Sequence, residues 1–252
     1  MAKIVFITGA TSGFGKSCAT LFASKGYDVI INGRRKERLQ ELAQSLTATY
    51  QVRTLSLAFD VRDQKAVKES IHSLPEDWRA IDVLINNAGL AAGRDYFEEA
   101  SLEDWDTMID TNIKGFLYVS QAVAQLMAAR QTGHIINIGS TAGRVVYEKG
   151  NAYCGTKYAV DALSQSMRID LLRHGIKVTA VNPGAAETEF SIVRFKGDAE
   201  TAAKVYEGIK ALGPDDVAEV IYYTTTLPAH VCINDLTVTC LQQADSVYMH
   251  RK

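Results

Sequence analysis

The chain has 252 residues, of which 47% are hydrophobic, and its 27 basic side chains nearly balance its 29 acidic ones. This length suits one α/β domain with a single core. The formal net charge of −2 gives no strong field that would attract nucleic acid or an anionic membrane. We therefore expect a small-molecule partner, no nucleic acid and no membrane.

Cysteine usage and the opening residues bear on metal binding and location. The four cysteines, at positions 18, 154, 232 and 240, form no C-x-x-C pair, so we expect reduced thiols and no metal site. The opening MAKIVFITGA lacks the cleavage site and long apolar run of a signal peptide, and no apolar stretch reaches membrane-spanning length. These features favour a cytoplasmic protein.

Short apolar runs alternate with amphipathic segments along the whole chain. The predicted strands are residues 4–8, 29–32, 52–59, 83–86, 134–138, 178–181 and 236–239. The predicted helices are residues 16–24, 35–45, 65–73, 105–129, 152–173 and 215–226. This alternation predicts βαβ units, hence a parallel sheet with helices on both faces. No linker or repeat interrupts it, so residues 1–252 are predicted to form one domain.

One stretch differs from the rest. Residues 184–210 are polar and show little periodicity, which is typical of a mobile segment that covers a cleft and contacts substrate. An ordinary surface excursion is the alternative.

A glycine-rich turn, TGATSGFG at residues 8–15, follows the first strand and precedes a helix predicted to begin near Phe14. Glycines let the backbone turn tightly and approach a ligand, while a helix N-terminus offers free N–H groups to a pyrophosphate. The strand before and the helix after supply the context that a dinucleotide site needs. The predicted cofactor-binding residues here are Gly9, Thr11, Ser12, Gly13, Phe14 and Gly15.

The choice between NAD and NADP depends on a position about twenty residues beyond such a turn. There an NAD site offers a carboxylate to the ribose hydroxyl, whereas an NADP site offers a cation to the 2′-phosphate. This chain has Arg34 and Arg35 and no carboxylate, which predicts NADP(H). For Arg35, simple solvation of the next helix is the alternative.

Tyr153 and Lys157 are one helical turn apart, so both project from the same helix face. An ammonium about 5 Å from the phenol would lower the pKa of the tyrosine by about two units at an effective dielectric near 20. The tyrosine could then act as a general base or acid. Alone, such a pair is usually a solvated helix face, but Ser140 follows a predicted strand at the sheet edge where ligands bind.

These motifs, with the glycine spacing G-x-x-x-G-x-G and the sequence NNAG at 86–89, resemble the short-chain dehydrogenase/reductase family from Thr8 to the C-terminal tail. The resemblance implies a single-domain Rossmann fold with a doubly wound, seven-stranded parallel sheet and a homotetramer. It implies that Asn112 joins Ser140, Tyr153 and Lys157 as the fourth catalytic member, anchoring a water in a proton relay. The further cofactor contacts that it implies are Asp60, Val61, Asn87, Ala88, Gly89, Pro183, Gly184 and Thr188.

More narrowly, residues 104–115, 184–198 and 227–231 resemble the NADP-dependent 3-hydroxy acid dehydrogenases. Those enzymes oxidise serine, allo-threonine and 3-hydroxyisobutyrate or 3-hydroxypropionate, and they reduce malonic semialdehyde. A hydroxy acid needs a cation for its carboxylate, and our first candidate is Arg194, followed by Arg144 and then Lys196. Each could instead be a solvent-exposed charge, and Arg144 departs from the pattern of that branch.

Two other functions are compatible with the sequence. The same catalytic residues could reduce carrier-bound 3-oxoacyl groups or carbonyl compounds in general. A non-catalytic regulator that senses NADPH is possible from the fold alone, although the four intact catalytic positions argue against it.

Overall fold

The computed structural model describes residues 2–252, which contain a sheet of seven strands that all run parallel. The strands are β1 (Ile4–Ile7), β2 (Asp28–Gly33), β3 (Thr54–Ala58), β4 (Ile81–Asn86), β5 (Gly133–Ile138), β6 (Ile176–Pro183) and β7 (Asp235–Val238). Their order is β3-β2-β1-β4-β5-β6-β7. The order reverses between β1 and β4, which opens a crevice at their carboxyl ends.

The central strands consist mainly of branched apolar residues because both of their faces are covered. Every residue of β1, β2 and β5 is buried, as expected for a parallel sheet enclosed by helices. All seven predicted strands are confirmed, and their ends differ from the predicted ends by at most two residues.

Nine helices surround the sheet in the described part of the chain. They are α1 (Gly13–Ser24), α2 (Lys36–Tyr50), α3 (Gln64–His72), α4 (Leu102–Ile109), α5 (Phe116–Arg130), α6 (Asn151–Leu171), α7 (Glu189–Arg194), α8 (Ala199–Lys204) and α9 (Pro214–Thr225). Short 3-10 turns lie at Glu76–Trp78, Phe97–Glu99, Thr141–Gly143 and Leu172–His174. One apolar cluster joins α1, α2 and α9 to one sheet face, and a second joins α3 and α5 to the other. The predicted doubly wound fold is therefore confirmed.

The observed helices differ from the predicted ones in two places. The single helix predicted over 105–129 is divided into α4 and α5 by a π-helical turn at Asp110–Gly115. The segment 184–210 contains α7 and α8, which were not among the predicted helices. Side chains of Thr188 and Asp198 start these two helices by accepting hydrogen bonds from Phe190 N and Thr201 N. That this segment is mobile stays a prediction.

Two further observations concern cysteines and membranes. All four cysteines carry free thiols, and three of them are buried. Across residues 2–252, no helix combines the length and apolar character needed to cross a membrane.

Candidate active site

A cleft of about 1010 Å³ lies at the carboxyl ends of the central strands. It brings together the turn after β1, the residues after β4 and β5, one face of α6 and the segment after β6. Nearly all the predicted site residues line this cleft. The exceptions are Gly15, Asn112, Arg144 and Lys196.

The glycine turn is shaped by backbone conformation and by close packing. Gly9 and Gly13 have φ angles of +65° and +50°, in the left-handed region that favours glycine. A Cβ on Gly15 would lie 2.3 Å from the carbonyl oxygen of Gly9, so no side chain fits there. Gly15 therefore serves the turn by letting α1 pack against it, without lining the cleft.

The first turn of α1 is open to an anion. Ser12 precedes it in extended backbone, its side chain caps no N–H group, and the first turn carries no acidic residue. The turn is also fixed to the end of β4, because Asn87 donates through Nδ2 to the carbonyl of Thr8 at 2.9 Å. Free N–H groups and a fixed glycine cradle fit the pyrophosphate of a dinucleotide.

Two arginines reach the cleft at the far end of this turn. Arg35 donates to Thr11 Oγ1 at 2.8 Å and to Ser12 Oγ at 3.3 Å, so its guanidinium lies over the turn. Arg34 is 3.9 Å from Asp60. Although burial opposes ionisation of Asp60, hydrogen bonds from Arg62 hold the pKa of this carboxyl below its usual range. These cations fit the 2′-phosphate of NADP.

Tyr153 and Lys157 project from α6 into the opposite half of the cleft. The ammonium of Lys157 donates to the carbonyl of Ile138 at 2.9 Å and lies 5.9 Å from the centroid of the Tyr153 ring. Ser140 caps the short turn after β5, accepting a hydrogen bond from Ala142 N. The side chains of Tyr153 and Lys157 are both buried, at 8% exposure each.

Burial shifts the pKa values of this pair against expectation. We predicted that Lys157 lowers the pKa of Tyr153, but loss of solvation raises that pKa instead, against smaller lowering effects of a hydrogen bond with Ser140 and of Arg194. Burial likewise lowers the pKa of Lys157 to about 8. The cause is that the cleft disfavours the charged form of both groups.

Asn112 lies just behind the cleft, in the π-helical turn. Its Oδ1 accepts from Leu90 N at 2.9 Å, while its Nδ2 donates to Leu90 O at 2.8 Å and to Thr156 Oγ1 at 3.1 Å. A Cβ on Gly89 would be 3.2 Å from Asn112 Oδ1 and 3.8 Å from Lys157 Nζ. Asn112 thus joins the loop after β4 to α6 close to the lysine, and its part in a water relay stays a prediction.

Arg194, in the last turn of α7, is held above Tyr153. Its Nε donates to the carbonyl of Gly93 at 3.3 Å and its Nη1 donates to the hydroxyl of Tyr147 at 2.8 Å. Its guanidinium carbon is 5.6 Å from the centroid of the Tyr153 ring. A fixed cation therefore faces the phenol inside the cleft.

The model of the family described as short chain dehydrogenase matches residues 3–199. The chain belongs to this family. It is 49% identical over 242 residues to the NADP-dependent 3-hydroxy acid dehydrogenase YdfG of Salmonella typhi, with 96% of each chain covered. It is 46% identical over 249 residues to sulfoacetaldehyde reductase 2 of Chromohalobacter salexigens, with 98% of each covered.

A solved structure gives the same assignment. The closed form of serine dehydrogenase complexed with NADP+ superposes on this short-chain dehydrogenase with a TM-score of 0.91. The two are 47% identical, and the match covers 99% of this chain and 100% of the other.

The other two candidates for binding the substrate carboxylate, Arg144 and Lys196, do not line the cleft of this short-chain dehydrogenase. Arg144 forms ion pairs with Asp161 at 3.0 Å and with Asp235, which ties α6 to β7. Lys196 pairs with Asp104 at 2.9 Å. Opposite charges outside the cleft hold both side chains, so neither is placed to bind substrate there.

Sequence reasoning missed Tyr147, Arg38 and Glu189. Tyr147 lies on the loop before α6 and contacts Arg194 through its hydroxyl. Arg38 and Glu189 form an ion pair at 3.2 Å beside the arginines of the cofactor end. All three owe their positions to contacts between distant segments, and no spacing in the sequence indicates them.

Proposed function

We propose that this short-chain dehydrogenase transfers a hydride between NADP(H) and the hydroxyl-bearing carbon of a small 3-hydroxy acid. Serine, allo-threonine, 3-hydroxyisobutyrate and 3-hydroxypropionate, with malonic semialdehyde in the reductive direction, are the substrates proposed. The observation that carries the proposal is Arg194, a cation fixed beside Tyr153. The relatives named for 3-hydroxy acids and for serine support the same substrate class.

The cofactor would be held by residues at the two ends of the cleft. Free N–H groups at the start of α1 receive the pyrophosphate, and Arg34 and Arg35 receive the 2′-phosphate. The other proposed cofactor contacts all line the cleft, namely Asp60, Val61, Asn87, Ala88, Gly89, Pro183, Gly184 and Thr188. Of these, we assign Pro183, Gly184 and Thr188 to the nicotinamide. When bound, NADP+ supplies the hydride acceptor for oxidation and NADPH the donor for reduction.

Proton transfer falls to Tyr153. In carbonyl reduction its raised pKa keeps the phenol protonated, so that it can donate its proton to the oxygen of the substrate. Lys157, with a pKa of about 8, carries its charge at neutral pH and stabilises the negative charge that then develops on the phenol oxygen. Ser140 donates a hydrogen bond to the same substrate oxygen. In oxidation these roles reverse, and the deprotonated form of Tyr153 takes the proton of the substrate hydroxyl, so the raised pKa of Tyr153 favours the reductive direction.

Arg194 and Tyr147 would bind the carboxylate. Two N–H groups of Arg194 are taken by Gly93 and Tyr147, but Nη2 has no hydrogen-bond partner among residues 2–252. The Tyr147 hydroxyl accepts from Arg194, so its own proton is available, and burial raises the pKa of this phenol and keeps it protonated. Because both donors are held in place, they orient a short acid with its hydroxyl toward Tyr153.

The proposal is tested by following nicotinamide absorbance with NADP+ or NAD+ and each of L-serine, L-allo-threonine and 3-hydroxyisobutyrate. Tyr153→Phe is the matched control, because it removes only the phenolic hydroxyl. We expect turnover with NADP+ that the variant loses. Activity confined to neutral alcohols or to carrier-bound substrates would overturn the 3-hydroxy acid assignment, and NADPH binding without turnover would indicate a regulator.

A second substrate class has support from one relative. Sulfoacetaldehyde reductase 2 is 46% identical to this chain over nearly its whole length. A sulfonate, like a carboxylate, accepts hydrogen bonds from a guanidinium and a phenol. NADPH oxidation with sulfoacetaldehyde, at a kcat/KM above that with malonic semialdehyde, would favour a sulfonate substrate over a carboxylate.

We also propose a cytoplasmic homotetramer. Ile169 and Leu172, on and just after α6, are 75% and 73% exposed, and Leu102 on α4 is 69% exposed. Large apolar side chains exposed on α4 and at the end of α6 favour burial against further copies. Light scattering at micromolar concentration tests the assembly, since a monomer would refute it, and cell fractionation tests the location.

A further inference from the structure

Glu189, the first residue of α7, reaches across the cofactor end of the cleft to two arginines of another segment. Its carboxylate is 3.3 Å from Arg35 Nη1 and 3.2 Å from Arg38 Nη1. All three side chains are between 43% and 48% exposed, so solvent reaches the cluster. Arg38 does not line the cleft, whereas Arg35 and Glu189 both do.

Arg35 is shared between Glu189 and the glycine turn. The same guanidinium that contacts Glu189 also donates to Thr11 at 2.8 Å and to Ser12 at 3.3 Å. A 2′-phosphate bound by this arginine would bring a second anion to a group that already has one. The two anions repel each other, and each weakens the other's hold on Arg35.

The charged side chains around this end of the cleft can balance the charge of the phosphate, but Glu189 competes with it. Four guanidiniums (Arg34, Arg35, Arg38 and Arg62) and two carboxylates (Asp60 and Glu189) form the ion pairs around this end of the cleft. The surplus is two positive charges, close to the charge of about −2 on a phosphate monoester. Removing the charge of Glu189 would raise the surplus and strengthen phosphate binding.

We propose that Glu189 is a specificity-determining residue that competes with the 2′-phosphate of NADP(H) for Arg35 and so limits how tightly this cofactor is held. Arg38 keeps Glu189, and with it the start of α7, in place when the phosphate takes Arg35. The inference rests on the proposed use of NADP(H). A cofactor held less tightly leaves sooner, and its release is a step that limits turnover in many enzymes.

Dissociation constants of NADPH and NADH, measured by nicotinamide fluorescence at low ionic strength, test the proposal. Glu189→Gln should tighten NADPH about two- to fivefold, the range for one exposed ion pair, and leave NADH unchanged. Glu187→Gln is the matched control, because Glu187 is exposed in the same segment and forms no ion pair among residues 2–252. It should change neither constant. The effect of Glu189→Gln should shrink as salt is added.

Arg38→Gln gives a second, independent test. Without Arg38, Glu189 turns entirely to Arg35, so NADPH binding should weaken while NADH binding does not change. In the double variant Arg38→Gln with Glu189→Gln, the loss of Arg38 should have a smaller effect than in the parent chain, since Arg38 acts through Glu189.

Three results would overturn the competition. One is an equal change in NADPH and NADH affinity for Glu189→Gln, which would mean that the residue only holds α7. Another is weaker NADPH binding in that variant, and the third is no change in either variant. If the parent chain does not bind NADPH better than NADH, the proposed cofactor fails instead, which is a distinct outcome.

Discussion

Replacing Arg194 by glutamine removes the charge beside Tyr153 and leaves a shorter, uncharged polar side chain. The arginine is held by Gly93 and Tyr147, so little ordering is needed when an acid binds. A charge-assisted hydrogen bond contributes about 1.5–3 kcal/mol, which corresponds to about a 10- to 150-fold change in affinity. We therefore expect KM for 3-hydroxyisobutyrate to rise within that range.

Steady-state oxidation of 3-hydroxyisobutyrate with saturating NADP+ gives both kcat and KM. If Arg194 binds the carboxylate equally in the ground state and the transition state, kcat changes little and KM carries the effect. A neutral alcohol turned over by the same enzyme should keep its KM. Arg94→Gln is the matched control, because Arg94 is an exposed cation that lines the same cleft. It should raise KM by less than about twofold, as expected of a screened surface charge.

Two outcomes would refute the proposal that Arg194 binds the substrate carboxylate. An unchanged KM for every acidic substrate in Arg194→Gln would show that the guanidinium does not touch the carboxylate. Equal losses in Arg94→Gln and Arg194→Gln would mean that the general positive field of the cleft attracts the acid, without a fixed contact.

Three further predictions concern single side chains. Tyr147→Phe removes a donor to the carboxylate and the partner of Arg194, so KM for acids should rise about two- to tenfold in steady-state kinetics. Carbonyl reduction should slow as pH rises through about 8, where Lys157 loses its proton, and Lys157→Met should flatten that limb of the pH–rate profile. Burial lowers the pKa of His134 from 6.5 to about 4. Stability should therefore fall by up to about 3 kcal/mol between pH 6.5 and 4 in urea unfolding, and His134→Gln should lack that slope.

The unfolded and the folded chain bind a proton on His134 at different pH values. Below pH 6.5 the unfolded chain binds a proton that the folded chain rejects until about pH 4, so acid favours unfolding in that window. The ring is buried and shares a hydrogen bond of 2.8 Å with Thr179. An equal slope in the parent and in the variant would mean that other groups cause the acid sensitivity.

The sheet could be predicted from the sequence because its signal is local. A strand such as β1 is a run of apolar residues because helices cover both faces, and each neighbouring turn carries its own glycine or polar residues. Strand existence was therefore predicted correctly, while strand ends shifted by a residue or two because hydrogen bonding, not hydrophobicity, defines them.

The division of the predicted helix 105–129 had no such signal. Its apolar positions continue on both sides of Asp110–Gly115, and a π-helical turn adds one residue without interrupting them. The turn fits because Gly115 has no side chain, since a Cβ there would lie 2.7 Å from Val61 Cγ2. The π-helical conformation therefore depends on packing against Val61, which is distant in the sequence. Local periodicity carries no signal of such a contact.

The catalytic pair also shows what the sequence predicts and what only the folded chain reveals. Tyr153 and Lys157 share one helix, so spacing alone placed them on one face, but their pKa values depend on burial that only the folded chain reveals. Their spacing suggested mutual stabilisation of charge, whereas the enclosed site penalises both charges. A bound cofactor with its own charge enters that balance, which is why the isolated pair cannot be judged from distance alone.

The segment that carries Arg194 is held by contacts at both ends more than by an apolar face of its own. At one end Glu189 joins Arg35 and Arg38, and at the other the carbonyl of Arg194 accepts from Gly93 N at 3.1 Å. A helix fastened at both ends in this way needs no hydrophobic periodicity, which accounts for the lack of a helical pattern over α7. Because these contacts are polar and partly exposed, we expect a ligand bound at either end to shift α7 more readily than the core. One short helix, α7, therefore carries both Glu189 at the cofactor end of the cleft and Arg194 at the proposed substrate end. The effects of substitutions at these two positions should be coupled to each other, and the coupling should exceed the effect of either substitution on folding.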